Sequence, residues 1–351
     1  MRRPPDRPAG RRPDVTVIEQ PGRREQAGEA ANAYLLPAEP VTVVDPGPDR
    51  PDALEGLLQA LAGHGLSPRD VRQILLTHGH PGHAGLAGRL QQQTGAVVRV
   101  HRSGLGAVLD PAADAAGHQR LVTRAAHVAA VPPEVLADYV RGWLGVAPPP
   151  TAVPATAVQP LDGGEQLSAG GAYWKVLHTP GHAPDGVCLC EPGSGATFVG
   201  DLFGRNAPTW AGLAPRRSDG RRPPVLAELV DSWRMLGRQA VAIAWPGHGP
   251  PVRAHRALLA RRLAGTRSQL RATARAVAAG HATVWAIALA IGLPPEAEQL
   301  DRTLGQAIAL LDWLVAHSWL SRTSSDGILR FAGPSSRPPD DWQAPGDRRG
   351  R

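Results

Sequence analysis

Thr77-His78-Gly79-His80-Pro81-Gly82-His83 is the stretch on which the reading of this chain turns. It sets three histidines within six residues, directly after the largely apolar run Val71-Arg72-Gln73-Ile74-Leu75-Leu76. That run reads as a buried strand, and Pro81-Gly82 stops a strand or helix from simply continuing. The imidazoles therefore sit on a tight turn at a strand end, where several side chains can aim at one point. Neutral imidazole is a good ligand for zinc and its neighbours.

Three more segments share this grammar of apolar strand, then Gly or Pro, then a ligand-type side chain. Trp174-Lys175-Val176-Leu177-His178-Thr179-Pro180-Gly181-His182 ends on a histidine turn, and Ala196-Thr197-Phe198-Val199-Gly200-Asp201 ends on a carboxylate. Ala240-Val241-Ala242-Ile243-Ala244-Trp245-Pro246-Gly247-His248 ends on another histidine. One polar loop residue alone would be unremarkable. Four strand ends offering His78, His80, His83, His182, Asp201 and His248 describe a metal site preorganised at one edge of a packed sheet.

In the order and spacing of these motifs, the chain from about Val15 to His255 resembles the metallo-β-lactamase fold superfamily of hydrolases. The resemblance implies an α/β fold, a four-layer αββα sandwich with its active site at the loop edge. It also implies that His78, His80 and His182 bind one metal, that His83 and His248 bind a second, and that Asp201 bridges them. Val41-Thr42-Val43-Val44-Asp45-Pro46-Gly47 looks like the family's early strand, with Asp45 orienting the histidine loop. Zinc is the expected metal, one or two ions, with iron and manganese as alternatives.

The chain departs from the family's His-x-His-x-Asp-His pattern at Gly82. Glycine can neither bind the second metal nor hold the attacking water, so a weakened second site is expected. A second departure follows His182, where Ala183-Pro184-Asp185 stands in place of the family's usual Thr-Pro-Gly. Asp185 is thus a candidate catalytic carboxylate beside Asp201, standing in for the missing one. The plainer alternative is a surface turn aspartate after proline, and it is preferred.

Composition narrows the classes further. The net charge is +7, yet Lys175 is the only lysine, so the basicity is almost wholly arginine and is weak evidence for a nucleic-acid partner. No apolar run reaches membrane-spanning length, and Met1 to Gly28 lacks the apolar core of a secretory signal, which together predict a cytoplasmic protein off the membrane. Cys188 and Cys190, the only cysteines, share one face of a strand and are expected to stay reduced.

Four regions are expected: a disordered tail over 1–28, the metallo-β-lactamase-fold domain over 29–255, a winged-helix-like domain over 256–332, and a disordered tail over 333–351. Helices are expected at His83–Gln93, His118–Ala129, Pro133–Leu144, Pro223–Arg238, His255–Ala279, Thr283–Ile291 and Leu304–His317. A hairpin is expected from Ser318–Leu320 and Ile328–Phe331 around Asp326-Gly327. The last helices and hairpin resemble the C-terminal winged-helix domain of one superfamily branch, which includes endoribonuclease-like members. However, Thr303 to His317, the helix that would enter a groove, contains no Arg or Lys. The segment is therefore read as a packing module or a homodimer contact.

These features rank three functions. First comes a hydrolase in which metal-bound hydroxide attacks a small ester, thioester, lactone or lactam. Second is a catalytically weak or inactive homologue acting as a binding protein, an idea that rests on Gly82 alone. Third is an RNA phosphodiesterase, against which the damaged second site counts. Arg205, shortly after Asp201, is a further candidate for meeting an anionic substrate.

Overall fold

Short apolar strands, most of them buried on both faces, build two sheets that face one another in the computed structural model, which describes residues 12–20, 31–144, 148–204, 210–215 and 222–333. The first sheet runs β1 (Thr16–Glu19), β2 (Asn32–Leu36), β3 (Thr42–Val44), β4 (Gln73–Leu75), β5 (Val97–His101) and β6 (Val158–Leu161), in that spatial order. Its first three strands are antiparallel, and β3 to β6 are parallel. The second sheet holds β7 (Gln166–Ala169), β8 (Ala172–His178), β9 (Val187–Glu191), β10 (Ala196–Gly200) and β11 (Ile243–Pro246). Its strands are antiparallel except β10 and β11, which run parallel.

Alternate residues on each strand go to opposite faces. Tyr34, Leu36 and Leu75 of the first sheet meet Trp174, Val176 and Phe198 of the second in the central layer. Their neighbours Leu35, Val43 and Ile74 turn outward onto Leu57 and Leu61 of α1 (Pro51–Gly63), and onto the short helices α2 (Pro81–Ala84), α3 (Ala87–Thr94) and α4 (Leu105–Leu109). The outer face of the second sheet is covered by α5 (Pro111–Ala129), α6 (Pro133–Leu144), α7 (Val225–Gly237), α8 (His255–Ala278), α9 (Val284–Ala290) and α10 (Leu300–Ala316). This is the expected αββα sandwich. A two-stranded ribbon, β12 (Ser321–Ser325) and β13 (Ile328–Ala332), follows. The helices beyond residue 255 share one continuous apolar core with Val122 of α5 and Trp233 of α7.

The structure differs from the sequence expectations at several points. Residues 16–19, assigned above to a disordered tail, form the edge strand β1, because four residues rich in β-branched side chains pair with β2. The rest of that tail that lies in 1–11 and 21–28, almost all of the C-terminal tail, and Arg205 lie outside the described residues. The helix expected over His83–Gln93 is split into α2 and α3, since Leu86 N donates to Gly47 O at 2.8 Å and anchors the chain there. Helix α10 begins at Leu300, not Leu304. Ser318–Leu320 is not a strand. Ser318 sits in the left-handed region at φ 61°, and Trp319 N returns to Leu314 O, closing the helix end.

Candidate metal centre

The parallel pair β10 and β11 brings Gly200 opposite Pro246, so Asp201 and His248 leave the sheet side by side. The His78 loop leaves β4 at the same edge, and Val187 N donates to Thr77 O at 2.8 Å, tying that loop to the start of β9 in the other sheet. His182 sits on the β8–β9 turn. Asn32 on β2 donates to Pro246 O at 3.0 Å and Gly249 O at 2.8 Å, and the Tyr34 hydroxyl also donates to Pro246 O, so the His248 loop is pinned from the opposite sheet. A β-carbon at Gly247 would come 2.1 Å from Asp201 Oδ1 and 2.7 Å from His83 Cε1, so only glycine lets this loop close over the site.

Four donors, from His78, His80, His182 and Asp201, converge with all ligand atoms within 4.8 Å of one another. His80 Nδ1 stands 3.1 Å from His78 Nε2 and 3.2 Å from His182 Nε2. Asp201 Oδ2 is 3.9 Å from His78 Nε2 and 3.5 Å from His182 Nε2. Donors arranged tetrahedrally around a zinc at about 2.0–2.1 Å stand about 3.3 Å apart, and the observed separations bracket that figure. His80 Nδ1 faces both other ring nitrogens, yet a ring nitrogen offers either one proton or one lone pair and so can pair with only one of them. A cation among them would satisfy all three.

A second group of donors adjoins the first. His83 Nε2 is 3.4 Å from Asp201 Oδ1, and His248 Nε2 is 3.4 Å from Asp201 Oδ2. Asp201 therefore spans both groups. Asp45 lies behind them: it accepts from Thr77 N at 2.7 Å and from the Thr77 hydroxyl at 2.6 Å. Because the Thr77 proton goes to Asp45, its oxygen accepts from His78 Nδ1 at 3.1 Å, leaving His78 Nε2 bare and aimed at the cluster. Asp45 Oδ2 also lies 3.6 Å from His83 Nδ1, turning His83 Nε2 toward Asp201.

The electrostatics suit ligation. Burial, reinforced by His182, pushes His80 down to about 3. Burial lowers His78 and His182 as well, so these imidazoles are neutral at pH 7 and ready to donate lone pairs. Burial alone would raise the Asp201 carboxyl, but His83, His248 and His78 outweigh it and hold Asp201 ionised, well below its usual range.

Asp185 is placed differently from either role considered for it. It is buried at 5% exposure and so is not a surface turn residue. Its Oδ2 accepts from Gly79 N at 2.7 Å, so it fastens the backbone of the histidine loop and is absent from the donor groups. Burial pushes its carboxyl up to about 6. The folded state thus holds a proton there that the unfolded chain releases between about pH 4 and pH 6. Native stability falls as pH rises through that window, by about 3 kcal/mol in all. Asp185→Asn is expected to remove this slope while keeping both the Gly79 contact and the metal, as thermal unfolding between pH 4 and pH 7 and elemental analysis will show. Metal loss in the variant would restore Asp185 to the ligand set.

The structure adds residues that no motif marked. Trp210 lies edge-on to His182, with ring centroids 5.1 Å apart. Arg302 of α10 stacks on Trp210, its guanidinium carbon 3.7 Å from the ring centroid. Beside it, Asp301 reaches His118 of α5 at 3.6 Å. These contacts join residues 28, 92 and 183 apart in sequence, so local pattern carried no trace of them.

A family model described as the metallo-beta-lactamase superfamily matches residues 27–248. The chain is 26% identical over 252 residues to "Probable metallo-hydrolase YqjP" of Bacillus subtilis, a match covering 65% of this chain and 70% of that protein. In fold it is similar to the metallo-beta-lactamase family protein TTHA1429 of Thermus thermophilus, with TM-score 0.72, 24% identity and coverage of 91% of this chain and 98% of the other. A beta-lactamase domain protein of Burkholderia ambifaria gives TM-score 0.71 at 22% identity, covering 92% and 94% of the two chains. The chain belongs to the metallo-beta-lactamase superfamily.

Proposed function

We propose that this member of the superfamily is a metal-dependent hydrolase of a small ester, thioester, lactone or lactam. The observation that carries the reading is the convergence of His78, His80, His182 and Asp201 at tetrahedral spacing, with the imidazoles kept neutral by burial. The metal is proposed to be zinc, whose preference for nitrogen and oxygen donors fits this set. When bound, it would supply Lewis acidity toward a carbonyl oxygen and a coordinated water of pKa about 7. The three histidines would hold it, with Asp201, which lies within 4 Å of histidines of both donor groups. Thr77 and Asp45 keep His78 and His83 turned inward, so little reorientation is needed for binding.

The second group, His83, His248 and a share of Asp201, is proposed to bind more weakly, because position 82 brings no carboxylate. A small-molecule substrate is favoured over nucleic acid by the arginines of α8. Arg256 donates to Gly237 O and Gln239 O, and Arg262 donates to Gly204 O, so part of the basic stripe is spent on internal carbonyls. No helix among the described residues is long and apolar enough to cross a membrane.

The test is metal content. Protein purified without added metal or chelator is expected to hold about one tight equivalent of divalent metal and to take up a second only from excess. Chelation should abolish hydrolysis of ester, thioester and lactone substrates, and zinc should restore it. A chain that holds no metal and takes up none would be the binding-protein homologue instead.

A further inference from the structure

Among the described residues, no side chain forms an ion pair with the Arg302 guanidinium. Its neighbour Asp301 is turned to His118. The guanidinium lies half-buried on the face of Trp210 and, among the described residues, donates no hydrogen bond. A guanidinium carries five N–H donors in a planar fork matched to carboxylate and phosphate. Here one face of that fork rests on the indole, and among the described residues its N–H groups meet no acceptor.

The support beneath it is rigid. Gly305 stands one turn after Arg302 on the same helix face, and a β-carbon there would meet Ala211 O at 2.7 Å. Helix α10 therefore docks directly on the backbone that follows Trp210. Gln306 Oε1 accepts from Ala211 N at 2.9 Å, and Gly212 N donates to Gly181 O at 3.1 Å beside His182. The path from His182 through Trp210 to Arg302 is thus one side-chain layer thick, and the charge of Asp201 reaches the guanidinium.

We infer that Arg302, braced on Trp210, binds an anionic oxygen group of the substrate, a carboxylate or phosphate remote from the bond that is cleaved. The inference rests on the hydrolase reading for its context and narrows it to acidic substrates. It also makes the C-terminal helices part of the substrate site. Trp210 contributes by holding the fork in place, and Arg302 acts in recognition, so its effect falls on KM.

The test compares the phenyl esters of butyric acid, of glutaric acid with one free carboxylate, and of 4-phosphonobutyric acid, using metal-loaded protein. One of the anionic esters is expected to exceed the neutral one in kcat/KM by about tenfold or more, as a charge-assisted fork supports, and which one names the group. In Arg302→Gln that ratio should fall to about one, mainly through KM. Arg302→Lys should keep part of it, and Arg322→Gln, an exposed arginine paired with Asp312, should leave it unchanged. A native ratio near one, or a ratio that survives Arg302→Gln, overturns the assignment. If no ester is hydrolysed at all, the hydrolase reading fails on its own, and titration with glutarate and methylphosphonate decides the rest. Binding weakened at least fivefold in Arg302→Gln supports the anion site, and equal binding in both proteins overturns it.

Discussion

Asp201→Asn is expected to cost this protein about two to three and a half orders of magnitude in metal affinity, and its hydrolysis at limiting metal with it. Asp201 lies within 4 Å of His78, His83, His182 and His248. It is also the negative charge in a buried cluster of imidazoles. Removing one partner from a buried, charge-compensated group costs about 3–5 kcal/mol. At 1.4 kcal/mol per factor of ten, that corresponds to about two to three and a half orders of magnitude in metal affinity. Asparagine keeps the shape and one acceptor oxygen, so the fold should survive. Elemental analysis and a zinc titration monitored by competition with a chromophoric chelator would check the loss. A variant that retained a full equivalent of tightly held metal would show that the three histidines bind without the carboxylate, and the bridging role would have to be abandoned.

The contrast between Asp201 and Arg302 shows what was legible in the chain. Asp201, His182 and His248 each follow an apolar strand and a glycine, His78 follows its strand after a single threonine, and a ligand at the end of a buried strand leaves a local signature. The sandwich was legible for the same reason: alternation along β8 places Trp174 and Val176 inward, with Tyr173 and Lys175 exposed. Strand β1 was hidden because an edge strand buries little, and Val17 is 39% exposed. Arg302 was hidden twice over. The apolar stripe of α10 suggested a later start, which put Arg302 outside the helix, and its stacking partner Trp210 is 92 residues away in sequence. Asp185 looked like a turn residue because nothing local says that the histidine loop folds over it. Burial and long-range contact are tertiary facts, and short patterns carry them only where strand periodicity does.

Gly82→Asp is expected to fill the second site. The position that breaks the family's pattern is sterically open, since a β-carbon on Gly82 would meet nothing within 4 Å. It lies in the first turn of α2, between His80 and His83, in a conformation open to any residue. Aspartate has no worse helix propensity than glycine, and a carboxylate in a first turn suits the exposed N–H groups. The change should therefore cost little stability. The neighbouring donors, His83, His248 and one Asp201 oxygen, fall one short of a four-coordinate set, and a carboxylate at 82 would supply the fourth. Supporting partners alone typically alter metal affinity 10–100-fold, so an added direct ligand should tighten the second equivalent by about a hundredfold or more. Metal content after desalting should then rise from about one to about two per chain. Hydrolysis should become less sensitive to dilute chelator, because Asp201 would be held from both sides. The comparison needs only the two proteins, loaded and desalted in parallel. If the second equivalent is bound no more tightly in Gly82→Asp, the open space at position 82 does not face the second group of donors. The weakness of that group would then lie in His83 and His248 themselves.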